Sequence, residues 1–145
     1  MSQTRVTRTI NAPPEMVFKT VSDITQFSKA LPHIVNVEFL SEKKSGVGTR
    51  FRETRLMNGR ETQTELEVTE FVENDHIRLV AVDTMGTTWD TLFSVKAEHG
   101  GTLLSMAMHA RPQKWYAKIL LFFIGGMVQK AVEKDMDMVK AYCEK

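Results

Sequence analysis

Residues 34–111 alternate between apolar and polar side chains with a period of two, which is the spacing of strands that bury one face. The Asn-Gly pair at residues 58–59 favours a two-residue hairpin, because both central residues of a type I′ turn need positive φ. Further turn-forming residues stand at 45–46, 73–75, 85–86 and 99–101. The pattern therefore predicts about six strands in an antiparallel meander.

Two short helices are predicted between this meander and a first strand at residues 5–10. A Pro-Pro pair suits a first helical turn, where the missing N–H needs no partner, so a helix should begin near Pro13. The sequence Asp-x-x-Gln at residues 23–26 resembles a capping box. It predicts a second helix that begins at Ile24 and ends before Pro32.

One long helix is predicted after Pro112. Its side chains recur at spacings of three and four along a stripe formed by Leu120, Ile124, Met127, Val128, Ala131, Val132, Asp135, Met138, Val139 and Tyr142. Gly125 and Gly126 interrupt this helix at a cost of about 1 kcal/mol each relative to alanine, which predicts a kink or close backbone packing.

Composition narrows the possible functions. The length of 145 residues fits one domain over residues 1–145, and a net charge of +1 gives no electrostatic reason to expect a nucleic-acid partner. Cys143 is the only cysteine, and no Cys/His cluster has zinc-ligand spacing, so we expect neither a metal site nor a cofactor. Residues 1–10 lack the apolar core of a secretory signal, and a cytoplasmic protein is expected.

The alternation also assigns one face of each strand to the interior. The inward residues considered as a binding surface are Phe51, Glu53, Arg55, Met57, Leu66, Val68, Leu79, Trp89, Thr91, Phe93, Met106 and Met108. Glu53 and Arg55 stand out in this set, because burying a charge is costly unless it is paired or hydrated. They indicate an internal ion pair, a water-filled cavity, or a strand edge open to solvent.

The order of elements resembles the α+β helix-grip fold, in which a curved antiparallel sheet of about seven strands wraps around a long C-terminal helix. The sequence is also similar to the START-like (SRPBCC) superfamily, in particular to its polyketide cyclase/dehydrase-type and coenzyme Q-binding-type members. The matching segments are NAPPEMVF at residues 11–18, GVGTR at 46–50, EVTEF at 67–71 and GGT at 100–102. Their order and spacing carry the resemblance over almost the whole chain.

This resemblance implies a cavity for a hydrophobic or amphipathic small molecule such as a lipid, a quinone or a polyketide-like compound. The inward aromatic and Met side chains either fill a core or form the cavity wall, since six strands enclose more space than one helix stripe fills. Leu120, Ile124 and Met127 are expected to complete the wall from the helix. The predicted function is carriage, sensing or chaperoning of the ligand without covalent chemistry.

An enzyme of the cyclase/dehydratase or hydrolase type is the alternative hypothesis. Glu53 and Arg55 lie two residues apart on one strand face, so both can meet one ligand and supply acid–base chemistry. The four histidines, His33, His76, His99 and His109, belong to no catalytic motif. His33 and Asp83 are expected only at the rim of the cavity.

Residues 115–124, which begin with Trp115-Tyr116, are apolar around most of the helix circumference. Contact along one face of the helix cannot bury all of these side chains. The longest apolar run, residues 119–128, is shorter than the roughly 20 residues of a bilayer span, so no transmembrane helix is expected. Three interpretations remain: the short helices and loops cover the segment, a second subunit covers it in a homodimer, or it contacts a membrane peripherally. A further alternative function is therefore a protein-interaction module that uses this apolar part of the C-terminal helix.

Overall fold

The structure is a computed structural model that describes residues 2–83 and 86–145. Its elements are β1 (Ser2–Ile10), α1 (Pro14–Ser22), α2 (Ile24–Ala30), β2 (Ile34–Phe39), β3 (Arg50–Met57), β4 (Arg60–Val72), β5 (His76–Val82), β6 (Thr87–Glu98), β7 (Gly101–Pro112) and α3 (Trp115–Cys143). The predicted order of strand, two short helices, meander and long helix is confirmed. Met85, part of one predicted turn, lies outside the described residues.

The strands form one antiparallel sheet in the order β1-β7-β6-β5-β4-β3-β2. At the predicted hairpin, Met57 pairs with Arg60, and the two residues between them have φ angles of 53° (Asn58) and 77° (Gly59). The positive φ values confirm the turn that the Asn-Gly pair predicts. The helices pack on one face of this sheet, which gives the α+β helix-grip architecture expected from the sequence.

Asp23 ends α1 and caps α2. Its carboxylate accepts hydrogen bonds from the Thr25 backbone N–H at 3.0 Å and from the Thr25 hydroxyl at 2.7 Å. The other half of the predicted capping box is wrong, because the Gln26 side chain has a partner far away in sequence. Its Oε1 accepts a hydrogen bond from the Tyr142 hydroxyl at 3.1 Å, which ties α2 to α3.

The C-terminal half of α3 is fixed to the edge strand β1 by polar contacts and to the core by apolar ones. Arg8 forms an ion pair with Asp137 at 2.6 Å, and the Lys140 ammonium donates to the Thr9 carbonyl at 2.6 Å. On the inner side of this half, Val139 is fully buried. These contacts set the position of the helix over the sheet.

The glycines of α3 do not show the predicted close backbone packing. Apart from the adjacent backbone of α3 itself, a Cβ built on Gly125 or Gly126 meets no atom of the described residues within 4 Å. Gly101 at the start of β7 is different, because a Cβ there would lie 2.5 Å from the carbonyl oxygen of Ile10. The close approach of two backbones therefore occurs in the sheet rather than in the helix.

These environments predict opposite effects of the same substitution. Gly101→Ala should lower the free energy of unfolding by about 1–3 kcal/mol, because the backbone of β1 must move away. Gly125→Ala should raise it by up to about 1 kcal/mol, because alanine favours the helix and meets no obstacle. Urea unfolding followed by circular dichroism measures both, and a stability loss in Gly125→Ala would contradict the packing described for α3.

Candidate functional site

A cavity of about 330 Å³ lies between the inner face of the sheet, the short helices and the C-terminal half of α3. Most of its wall is apolar. It is lined by Val21, Ser22, Ile24 and Phe27 from the short helices, by Phe51, Glu53, Arg55, Thr64, Leu66, Leu79, Ala81, Asp83, Trp89, Thr91, Phe93, Met106 and Met108 from the sheet side, and by Val128, Ala131, Val132, Asp135, Met136 and Val139 from α3. The volume falls in the range of small-molecule sites.

Ten of the residues considered as a binding surface line this cavity: Phe51, Glu53, Arg55, Leu66, Leu79, Trp89, Thr91, Phe93, Met106 and Met108. They come from five neighbouring strands, which shows that the period-two alternation assigned the correct face to each of them. Phe93 also packs edge-to-face against Phe27 of α2, with ring centroids 5.9 Å apart. The short helices thus close one side of the cavity.

Two strand residues of the predicted wall lie elsewhere. Met57 is exposed at the tip of the β3–β4 hairpin, beyond Arg55, which is the last β3 residue paired with β2. Val68 is buried in the core, next to the point where the pairing of β4 with β5 shifts register. The alternation identifies the inner face of a strand, but it does not show how far along the strand the cavity extends.

The helix contribution to the wall is shifted towards the C-terminus relative to the prediction. Leu120, Ile124 and Met127 are outside the lining, which begins at Val128. Met127 is 70% exposed, because it is rotated by about 100° around the helix from Val128. The N-terminal part of α3 therefore extends past the region where the helix closes the cavity.

A cluster of charged side chains forms the polar part of the cavity wall. The Arg55 guanidinium donates through Nε to Glu53 at 2.9 Å and through Nη1 to Asp135 of α3 at 2.9 Å. The same Nη1 lies 3.2 Å from His33 Nε2, which is 3.4 Å from the other oxygen of Asp135. Of the three alternatives that the sequence left open for Glu53 and Arg55, the structure shows the internal ion pair. This ion pair is part of a cluster that connects the sheet to α3.

The environment of this cluster sets its charge. Burial opposes the charge of Arg55, but the carboxylates of Glu53 and Asp135 outweigh this effect and raise the pKa of the guanidinium. Burial lowers the pKa of His33, and Arg55 adds to this effect, while Asp135 and Glu53 oppose it. A neutral imidazole can accept the Arg55 hydrogen bond at Nε2. The cluster then holds one guanidinium and two carboxylates.

Asp135 and His33 were not predicted as cluster members. Asp135 offered a signal, since it is the one carboxylate in an otherwise apolar helical stripe. His33 was expected at the cavity rim from its place before β2, but nothing in the sequence indicated its contact with Arg55, 22 residues away. Asp83 lines the cavity and accepts a hydrogen bond from the Trp89 indole at 2.9 Å. Among residues 2–83 and 86–145 no cluster of three His, Cys, Asp or Glu side chains could hold a metal ion.

The apolar segment at residues 115–124 is not covered by the short helices and loops, so the first of its three interpretations is wrong. Ala117 and Leu121 are buried, whereas Trp115, Phe122 and Phe123 are exposed by 73–83%. The two helices instead pack against β2, β6 and the C-terminal half of α3, where they close the cavity. The other two interpretations, a second subunit and a membrane, remain.

A mostly apolar cavity between a curved sheet and a C-terminal helix defines a class of proteins with the helix-grip fold. The sequence matches the family described as polyketide cyclase / dehydrase and lipid transport over residues 1–144. The chain therefore belongs to this family, as its local sequences indicate. No curated protein sequence is detectably similar to it.

Solved structures with low sequence identity share the fold. TTHA0849 from Thermus thermophilus is 18% identical, with a TM-score of 0.78 over 97% of this chain and 96% of that one. The di-domain ARO/CYC BexL of the BE-7585A biosynthetic pathway is 18% identical, with a TM-score of 0.79 over 99% of this chain and 50% of that one. The Aha1 dimer from Colwellia psychrerythraea is 14% identical, with a TM-score of 0.71 over 99% of this chain and 97% of that one.

The lowered pKa of His33 predicts a pH dependence of stability. The unfolded state binds a proton at His33 more readily than the folded state does. This difference stabilises the folded state above the ordinary histidine pKa of about 6.5, and the stabilisation is lost as pH falls through the pKa of the folded state. His33→Asn should reduce the loss of unfolding free energy between pH 7 and about 5.5. Urea titrations at several pH values measure this, and equal slopes for the parent and the variant would contradict the assignment.

Proposed function

We propose that the protein binds one hydrophobic or amphipathic small molecule in the cavity and carries, senses or protects it without covalent chemistry. The observation that supports this most directly is the cavity itself, a mostly apolar space with one polar cluster on its wall. A binding site of this kind gains affinity from the apolar surface it removes from water and orientation from a few polar groups. Membership of a family that combines polyketide chemistry with lipid transport points the same way.

The charges on the wall restrict the polar end of the ligand. The charged cluster on the lining contains two carboxylates, Glu53 and Asp135, and one guanidinium, that of Arg55. The guanidinium already donates to Glu53 and Asp135, so an incoming anion would meet an excess of negative charge. We infer that the ligand carries an uncharged hydrogen-bonding group, such as a hydroxyl, at this end.

An enzyme remains the second candidate, because a carboxylate and an arginine face the same apolar cavity. In that case Glu53→Gln would abolish turnover and leave ligand affinity unchanged. A binding role gives the reverse expectation, a change in affinity with no reaction to lose. The ion pair between Arg55 and Glu53 at 2.9 Å favours the binding role, since it occupies the carboxylate with a structural partner.

Binding inside the cavity can be tested with the neutral fluorescent probe N-phenyl-1-naphthylamine. Thr91→Phe places an aromatic ring in the cavity and should weaken probe binding by about tenfold, equivalent to roughly 1.4 kcal/mol. Leu92→Phe is the matched control, because the next residue of the strand points to the other face of the sheet. Equal affinities of both variants and the parent would show that the probe binds outside the cavity and would count against the proposal.

The preference for an uncharged polar end can be tested with a matched pair of ligands. At pH 7.5, 1-naphthol should displace the probe at a concentration about tenfold lower than 1-naphthoate does, because only the naphthoate meets repulsion from the carboxylates. Glu53→Gln removes one of these charges and should reduce the ratio. Tighter binding of naphthoate would refute the charge argument while leaving cavity binding intact.

A further inference from the structure

The N-terminal part of α3 exposes apolar side chains on the side that faces solvent. Trp115, Ile119 and Phe122 follow the i, i+4, i+7 spacing of one helix face, and Phe123 and Met127 extend it. These five side chains, which we call the outer patch, are between 52% and 83% exposed. On the opposite side of the helix, buried Ala117 and Leu121 hold it against the protein. A continuous apolar patch of this kind marks an interaction site.

The charged side chains in the part of the sequence that carries the outer patch have one sign. Residues 99–132 contain no Asp or Glu, although the whole chain has 18 of them. The cations of this stretch include the exposed side chains of Lys114, Lys118 and Lys130. Arg111 is already paired with Asp90 on the sheet. The patch is therefore apolar at its centre and positive at its rim, which complements a negatively charged surface.

A second copy of the chain fits this pattern poorly. In a two-fold dimer the same patch meets itself, so the three lysines of one copy would approach the three lysines of the other. In an antiparallel pairing centred on the patch, the helix residues that face the lysines carry no carboxylate, because the first acidic residue of α3 is Glu133. Like charges facing each other destabilise an interface. Anionic lipid headgroups, in contrast, pair with every lysine.

We propose that the outer patch docks on the surface of an anionic lipid bilayer, with α3 lying in the interface. Trp and Tyr favour the headgroup region, and Trp115 and Tyr116 occupy the end of the helix beside Lys114. The apolar side chains of the patch enter the acyl boundary, and the lysines contact the headgroups. This interaction does not depend on ligand binding, because the five patch residues are outside the cavity lining.

The helix lies on the bilayer and does not cross it. Within the described residues, α3, with 29 residues, is the one helix long and apolar enough to span a membrane by length and composition. However, its C-terminal half buries Met136 and Val139 in the core and places Asp135 in the ion cluster. Crossing would break these contacts, whereas surface docking leaves them intact.

Co-sedimentation of the full chain with vesicles tests the proposal. Binding to vesicles of 70% phosphatidylcholine and 30% phosphatidylserine should exceed binding to pure phosphatidylcholine and should weaken in 0.5 M NaCl. The double variant Phe122→Ser/Phe123→Ser should reduce the partition by about tenfold or more. The matched control Val35→Ser/Val72→Ser changes two half-exposed apolar strand residues and should bind like the parent.

Charge reversal distinguishes docking through the outer patch from non-specific adsorption to vesicles. Lys118→Glu/Lys130→Glu should lower the partition on phosphatidylserine vesicles by about tenfold or more, whereas Lys29→Glu/Lys96→Glu, with the same net charge change, should have little effect. Equal effects of the two pairs would overturn the proposal. So would equal binding to both vesicle types, or a dimer in sedimentation velocity that Phe122→Ser/Phe123→Ser dissociates.

Trp115 supplies a direct spectroscopic signal. The chain has two tryptophans, and Trp89 lines the cavity, so Trp89→Phe leaves Trp115 as the single reporter. Its emission should shift to shorter wavelength when phosphatidylserine vesicles are added, because the indole leaves water for the headgroup region. An unchanged spectrum in the presence of sedimenting vesicles would place the contact elsewhere and overturn the assignment to this face.

Discussion

One helix has to cover the inner face of a seven-stranded sheet, and it is too narrow to fill the space. Seven strands spaced by about 4.8 Å span roughly 30 Å, whereas a helix with its side chains is about 10–12 Å wide. The short helices α1 and α2 close part of the difference, with Phe27 packed on Phe93. The cavity is the space that this difference in width leaves unfilled. Its position follows from the polar contacts that fix the C-terminal half of α3 to β1.

The ion cluster shows how the fold tolerates charge at the edge of an apolar space. Arg55 joins Glu53 on the sheet to Asp135 on the helix, so each carboxylate has a charged partner. Among the described residues, no buried side-chain nitrogen or oxygen lacks a hydrogen-bond partner. Each charged group of the cluster thus has a partner within the protein, and a ligand group has to fit an existing hydrogen-bond pattern. This favours orientation of a ligand over strong attraction of its polar end.

Sequence patterns predicted what depends on local geometry and failed where distant segments meet. The turn at Asn58-Gly59 and the inner face of each strand follow from φ preferences and from the period of two. The Gln26 side chain was assigned wrongly because Tyr142, its partner, is 116 residues away. Likewise, helical spacing cannot show where the sheet stops covering α3. Leu120 and Met127 were therefore assigned to the cavity, although they are exposed.

The two halves of α3 meet different surroundings, and this separates the two proposed interactions physically. The C-terminal half carries the cavity wall and the ion cluster, while the N-terminal half attaches to the protein mainly through Ala117 and Leu121. Changes at the outer patch can therefore alter docking without altering the cavity. The ends of the two regions are nevertheless adjacent, because the Gln113 N–H donates to the Gly86 carbonyl at 3.1 Å, three residues beyond the cavity-lining Asp83. A docked helix would thus hold this end of the cavity close to the lipid surface. At this position an apolar ligand that moves between the bilayer and the cavity exposes the least apolar area to water.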